Sequence, residues 1–291
     1  MTSARCPSLL AVVGLAGIGA LGCSSSPTES TASTDATDVA QIEAPAETNQ
    51  MPSDVAVPIE STGSDELRDL IRSDDPSTLT CVVAIGVQPG EFYDKVTDQL
   101  LFPENTHFFE ARYADGATVE IRVHPDIGVG DDALVQARRV AEPIGLLPTE
   151  LRSGIERVGF LDGDATAQGD GGGEGIHVYA VNVAKREQAN RFEETLFHES
   201  VHTSLDAVHA NSDAWRQAQA ADGEFLTEYS ASQPDREDLA ETALYAWALL
   251  HHPDRVSSAD ALAWRAAVPN RIAVIESILS GPATEAAAAT C

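Results

Sequence analysis

The stretch ETLFHESVHTSLD, residues 194–206, decides how the rest of the chain is read. Two histidines, His198 and His202, stand four apart, with Glu199 directly after the first. Apolar residues at 192, 196, 197, 201, 205 and 208 recur at helical spacing, so the segment is expected to be an amphipathic helix. On such a helix the histidines lie one turn apart and project to the same side. Two neutral imidazoles so placed can share one ion at about 2 Å from each nitrogen. Glu199 is turned about 100° from His198. That orientation suits it to take a proton from a water on the ion rather than to ligate the ion itself.

This is the H-E-x-x-H pattern of zinc peptidases. Two solvated histidines on a helix surface would have the same spacing, so a working site needs a third protein ligand and an open fourth position. The local extension of the pattern fails. Leu205 stands where a glycine would be, Val208 stands where a third histidine would be, and His209 comes one residue late. The third ligand must come from later in the chain. The segment YSASQPDREDLAETALYAWALL, residues 229–250, supplies carboxylates. Pro234 and Asp235 read as a helix start with Asp235 capping it. Glu237 and Glu241 then fall one turn apart beside an apolar stripe of Leu239, Ala240, Ala243, Leu244 and Trp247. Paired carboxylates next to a core call for a facing cation. One would bind the metal and the other would accept the free N–H of a ligating histidine; the spacing leaves open which. Asp206, one turn beyond His202, either orients that ring or is a solvated helix acid.

HESVH followed by FLTEYSASQPDREDLAET resembles the gluzincin metallopeptidases, notably the catalytic domain of anthrax lethal factor and related exported peptidases. The likeness covers roughly residues 192–250. It departs at Val201, where the family commonly has glycine. The resemblance implies a zincin-like fold, hydrolysis of peptide bonds and one Zn²⁺. It also implies His198, His202 and Glu237 as ligands, Glu199 as general base and Glu241 as acceptor of a ligand N–H. Tyr229 would stabilise the developing oxyanion. In such folds an edge strand runs along the cleft and pairs with substrate backbone; His177, on the strand before the active helix, faces either that cleft or solvent.

Upstream of this region the composition changes twice. Residues 1–23 read as an export signal: one cation, Arg5, then an apolar run from Leu9 to Leu21 that is too short to span a bilayer. Its end, ALGC, resembles the lipobox of bacterial lipoproteins, which would make Cys23 the lipidated first mature residue. Residues 24–65 hold eight acids and no Lys, Arg or aromatic residue. They are expected to be a disordered tether, since they carry too little apolar surface to offset ordering. Residues 66–291 would then be the folded domain. The expected location is therefore the periplasmic or cell-surface face of a bacterial membrane, or the medium if the lipid is absent. Cys81 and Cys291 are an exported pair able to form one disulfide. A net charge of −28 argues against nucleic acid and anionic lipid as partners. The charge does not identify a substrate; the resemblance implies a peptide or protein one, with membrane contact expected only through the lipid and the chain expected to be a monomer.

The order of elements predicts an α+β domain, with a small mixed sheet packed on the active-site helix and a helical C-terminal part. A buried strand is expected over Thr80–Val87, a hairpin turning at Asp115-Gly116, and a helix with Asp131 or Asp132 as N-cap that Pro143 either kinks or ends. A short strand lies in GIERVGFLDG, a glycine-rich stretch runs to residue 175 as either a surface linker or a mobile loop beside a cleft, and IHVYAVNV reads as another strand. Helices are expected at about 186–209, 211–221, 235–251, 258–267 and 269–280. The competing function is a non-catalytic binding lipoprotein on a peptidase-like fold, separated from the enzyme by whether the metal keeps an exchangeable position.

Overall fold

The computed structural model describes residues 63–169 and 175–282. The signal, Cys23, Cys291 and most of the tether lie outside the described residues. The architecture is α+β. Five strands and a helix come first: β1 (Leu79–Gln88), β2 (Phe92–Asp94), β3 (Gln99–Leu101), β4 (Thr106–Tyr113), β5 (Thr118–Val123) and α1 (Asp131–Ile144). There follow α2 (Thr149–Arg152), β6 (Arg157–Leu161), β7 (Gln168–Gly169), β8 (Gly175–Tyr179) and α3 (Ala180–Gln188). The helical part comprises α4 (Phe192–Ser204), α5 (Asp213–Asp222), α6 (Glu228–Ser232), α7 (Asp238–His251), α8 (Ser258–Ala267) and α9 (Pro269–Ile278). Among the described residues no helix is long and apolar enough to cross a membrane.

Six strands form one mixed sheet in the order β1-β4-β5-β6-β8-β7, while β2 and β3 make a separate hairpin. β1, β4 and β5 are antiparallel, β6 and β8 run parallel to β5, and β7 closes the far edge antiparallel. The β4–β5 turn falls where expected, with Gly116 at φ +88°. A side chain is strained at that angle, which is why glycine serves there. Alternation buries Phe109, Ala111, Val119, Ile121 and Val123 beneath α1, whose Ala137, Val140, Ala141 and Ile144 face them. α4 and α7 continue the same core through Leu196, Phe197, Val201, Leu244 and Trp247.

Several expectations are corrected. β1 is an edge strand rather than a buried one: Ile85 and Val87 stay 57% and 54% exposed. A β-branched apolar run reads alike in both positions, because partner number is not a local property. α1 starts after Gly130, and Asp131 and Asp132 occupy its first turn without capping it. There they still complement the positive helix end. AVNV opens α3 and does not extend β8. The long helix expected from 186 is broken at Ala189–Arg191, where Asn190 adopts φ +53°. α4 then yields at Leu205 to a wide turn over Asp206–Ala210, which leaves Val208 exposed. Asp235 does not cap α7; it pairs with Arg216, and Glu237 occupies the N-cap position.

The expected tether boundary also moves. Residues 63–65 are folded: Ser64–Glu66 forms a 3-10 turn, and Ser64 is fully buried. Cys81 is disulfide-bonded, as the sequence suggested; its expected partner Cys291 lies outside the described residues.

Candidate metal centre

α4 carries its two histidines one turn apart, and both rings are buried. α7 supplies the third group. Glu237 sits at its N-cap, where the backbone carbonyl accepts the Glu241 N–H at 2.9 Å. His202 Nε2 lies 3.2 Å from His198 Nε2 and 3.1 Å from Glu237 Oε2, and His198 Nε2 lies 3.6 Å from the same oxygen. A tetrahedral ion with bonds near 2.0–2.1 Å separates its ligand atoms by ~3.3 Å. The three observed edges bracket that value. Among the described residues His198, His202 and Glu237 are the one three-residue group of metal-binding type, and it has no fourth protein member.

Each remaining ring nitrogen has a partner of its own. His202 Nδ1 meets Asp206 Oδ2 at 2.7 Å, so Asp206 orients the ring and is not a free helix acid. His198 Nδ1 lies 3.0 Å from the Ser64 hydroxyl and 3.4 Å from Glu241 Oε1. Such partners fix the tautomer and turn the Nε2 lone pairs toward the shared point. Glu241, itself fully buried, is therefore not part of the ligand group. It accepts the Ser64 backbone N–H at 2.8 Å.

The electrostatics show what the cluster calls for. Burial opposes charge on His202, but hydrogen bonds from its ring to the Asp206 and Glu237 carboxylates outweigh it and lift the ring to about 10. His198 is raised as well; Glu237 and the neighbouring acids overcome its burial. Burial likewise opposes ionisation of Glu237, yet the two imidazoles hold its carboxyl far below the carboxylate range. The surrounding acids thus favour positive charge at the ring nitrogens. Protons supply it in the absence of a metal, and a divalent cation fits the same donor set.

Glu199 is turned to a cleft of about 700 Å³. The β7 backbone holds its carboxylate there: the Gly169 N–H donates to Oε2 at 2.5 Å. A side chain on Gly169 would meet the Glu199 carbonyl at 2.3 Å, so only glycine lets β7 lie this close to α4. Residues 166–169 of the expected surface linker therefore form a cleft wall, and residues 170–174 lie outside the described residues. Spacing alone did not single out Gly169 from the four other glycines nearby. Tyr229, on α6, also lines the cleft and is 41% exposed. Its partial burial, together with the charge of Glu237, pushes its hydroxyl up to about 12, so it stays a proton donor at neutral pH.

Lys95, at the turn of the β2–β3 hairpin, also lines the cleft and donates to Thr166 Oγ1 at 2.6 Å and the Ala167 carbonyl at 3.0 Å. Nothing in its sequence surroundings marked it. His177 does not line the cleft: it packs on Gly159 and edge-on against Tyr93. Its strand β8 is interior, and the sheet edge beside the site is β7. Comparison with family models, with curated proteins and with solved structures found no match to this chain.

Proposed function

We propose that this chain is an exported, lipid-anchored zinc peptidase with a zincin-like α+β domain, monomeric and acting on peptides or proteins. The observation that carries the reading is the ligand triangle of His198, His202 and Glu237, with Glu199 beside it on the cleft. When bound, Zn²⁺ would supply electrophilic polarisation and an acidified water with a pKa of about 7. Glu199 would accept a proton from the attacking water as the water oxygen adds to the scissile carbonyl carbon. The C–N bond then breaks, and the same carboxyl delivers the proton to the leaving amine. Tyr229 donates its hydroxyl to the carbonyl oxygen as negative charge develops there. Asp206 keeps His202 in the tautomer that presents Nε2. The absence of a fourth protein ligand among the described residues favours this reading over a closed structural site in a binding lipoprotein.

The test is Glu199→Gln, assayed on a labelled peptide library and by metal analysis. Loss of the base should lower hydrolysis by ~10²–10⁴-fold while one zinc per chain is retained. A variant as active as the wild type would overturn the mechanism.

A further inference from the structure

The residue closest to the outer nitrogen of His198 comes from the start of the described residues, far away in sequence. Ser64 lies 134 positions from His198 and 177 from Glu241, and it has no exposed surface. Its hydroxyl is 3.0 Å from His198 Nδ1 and 3.2 Å from Glu241 Oε1. A serine hydroxyl has one proton to give and lone pairs to receive with. The arrangement is satisfied in one direction: His198 Nδ1–H donates to Ser64 Oγ, and Ser64 O–H donates to Glu241. The Ser64 backbone N–H donates to the second Glu241 oxygen at 2.8 Å. The hydroxyl, ring nitrogen and carboxylate oxygen thus form a triangle, with ring and carboxylate themselves 3.4 Å apart and the serine closer to each than they are to one another.

The segment is held firmly enough to impose this geometry. Arg186 reaches Asp65 Oδ2 at 2.8 Å and the Asp65 carbonyl at 2.6 Å. Arg191 pairs with Glu66. The Leu70 and Ile71 N–H groups both donate to Glu194 on α4, at 2.8 and 3.0 Å. Leu67, within the same strap, packs on the core and touches neither His198 nor Glu241 in any of these bonds.

Resting on the reading of this cluster as a zinc site, we infer that Ser64 is a positioning residue for the metal: the strap carries a hydroxyl relay that fixes the His198 tautomer and aims its Nε2. An outer partner of this kind changes metal affinity about 10–100-fold when removed.

The experiment compares full-chain wild type, Ser64→Ala and Leu67→Ala. Zinc affinity is read by chelator competition, and ligand geometry by the visible spectrum of the Co²⁺-loaded protein. The expected result is at least about tenfold weaker zinc binding and a shifted Co²⁺ spectrum in S64A. L67A should unfold more easily yet keep wild-type affinity and spectrum. Unchanged affinity in S64A, or equal weakening in both variants, overturns the role of Ser64 and leaves the zinc reading standing. A wild-type chain that binds no zinc overturns both.

Discussion

Glu237 and Asp238 are consecutive, buried, and balanced in opposite ways. Asp238 is answered by a permanent cation: Arg271 Nη1 donates to Oδ1 at 2.5 Å, and Gln219 donates to Oδ2 at 2.8 Å. The same guanidinium reaches Asp222 through Nε at 3.1 Å and also donates to the Glu224 carbonyl. Neither aspartate nor Arg271 exposes any side-chain surface. Glu237 instead meets two imidazoles, which are cations only while protonated. The nearest permanent charge, Arg236, stays 3.6 Å away with its side chain 75% exposed. One acid belongs to a closed structural cluster. The other belongs to an open one that the chain leaves short of fixed positive charge.

Breaking the closed cluster should have the largest effect on stability. Arg271→Ala leaves Asp222 and Asp238 buried without their cation, a situation that costs ~3–5 kcal/mol. Urea unfolding would read this, and the deficit relative to wild type should be the same with and without added zinc. Wild-type stability in that variant would mean that the arginine is not what balances these acids.

A third buried acid sharpens the comparison, since Glu194 has no cation of either kind. Its Oε1 accepts two backbone N–H groups, while Oε2 is buried without a partner. Burial dominates and lifts its carboxyl from about 4.5 to about 7. The sign follows: below about 4.5 both the folded and unfolded states are protonated and stability is undiminished. As pH rises toward 7 the unfolded chain ionises first, so stability falls by ~1.4 kcal/mol per unit, or ~3 kcal/mol in all. Unfolding curves from pH 4.5 to 8 should show this slope in the wild type and lose that increment in Glu194→Gln. Parallel curves for the two proteins would remove Glu194 as the source.

The same contrast explains what the sequence could and could not reveal. The histidine pair, Glu199 and Asp206 lie within nine residues on one helix and its end, so helical geometry alone relates them. Glu237 needed a second helix but was visible as a carboxylate beside an apolar stripe. Ser64 was hidden because its contacts cross 134 and 177 positions and its surroundings are polar. Composition assigned it to a tether, whereas arginine and glutamate side chains on α3, on α4 and in the break between them satisfy the strap's polar groups and allow it to fold. β1 and the AVNV segment failed for another reason. Burial of a strand and the change from strand to helix at Tyr179 are set by neighbours in the sheet, which no local pattern encodes.

The smallest of the three stability effects is the most discriminating, because it separates two adjacent acids. A ligand that binds only the folded state stabilises it by ~2.7 kcal/mol at a concentration 100 times its Kd. Zinc at that level should raise wild-type stability by about this amount, and a chelator should remove the gain. Asp238→Asn loses part of the closed cluster, so its baseline falls, but its zinc increment should remain that of the wild type. Glu237→Gln should lose most of the increment whatever its baseline, since a neutral amide replaces the only carboxylate in the ligand group. Equal increments in the two variants would sink the distinction: both acids would then be structural, and the histidine pair would be binding zinc without Glu237.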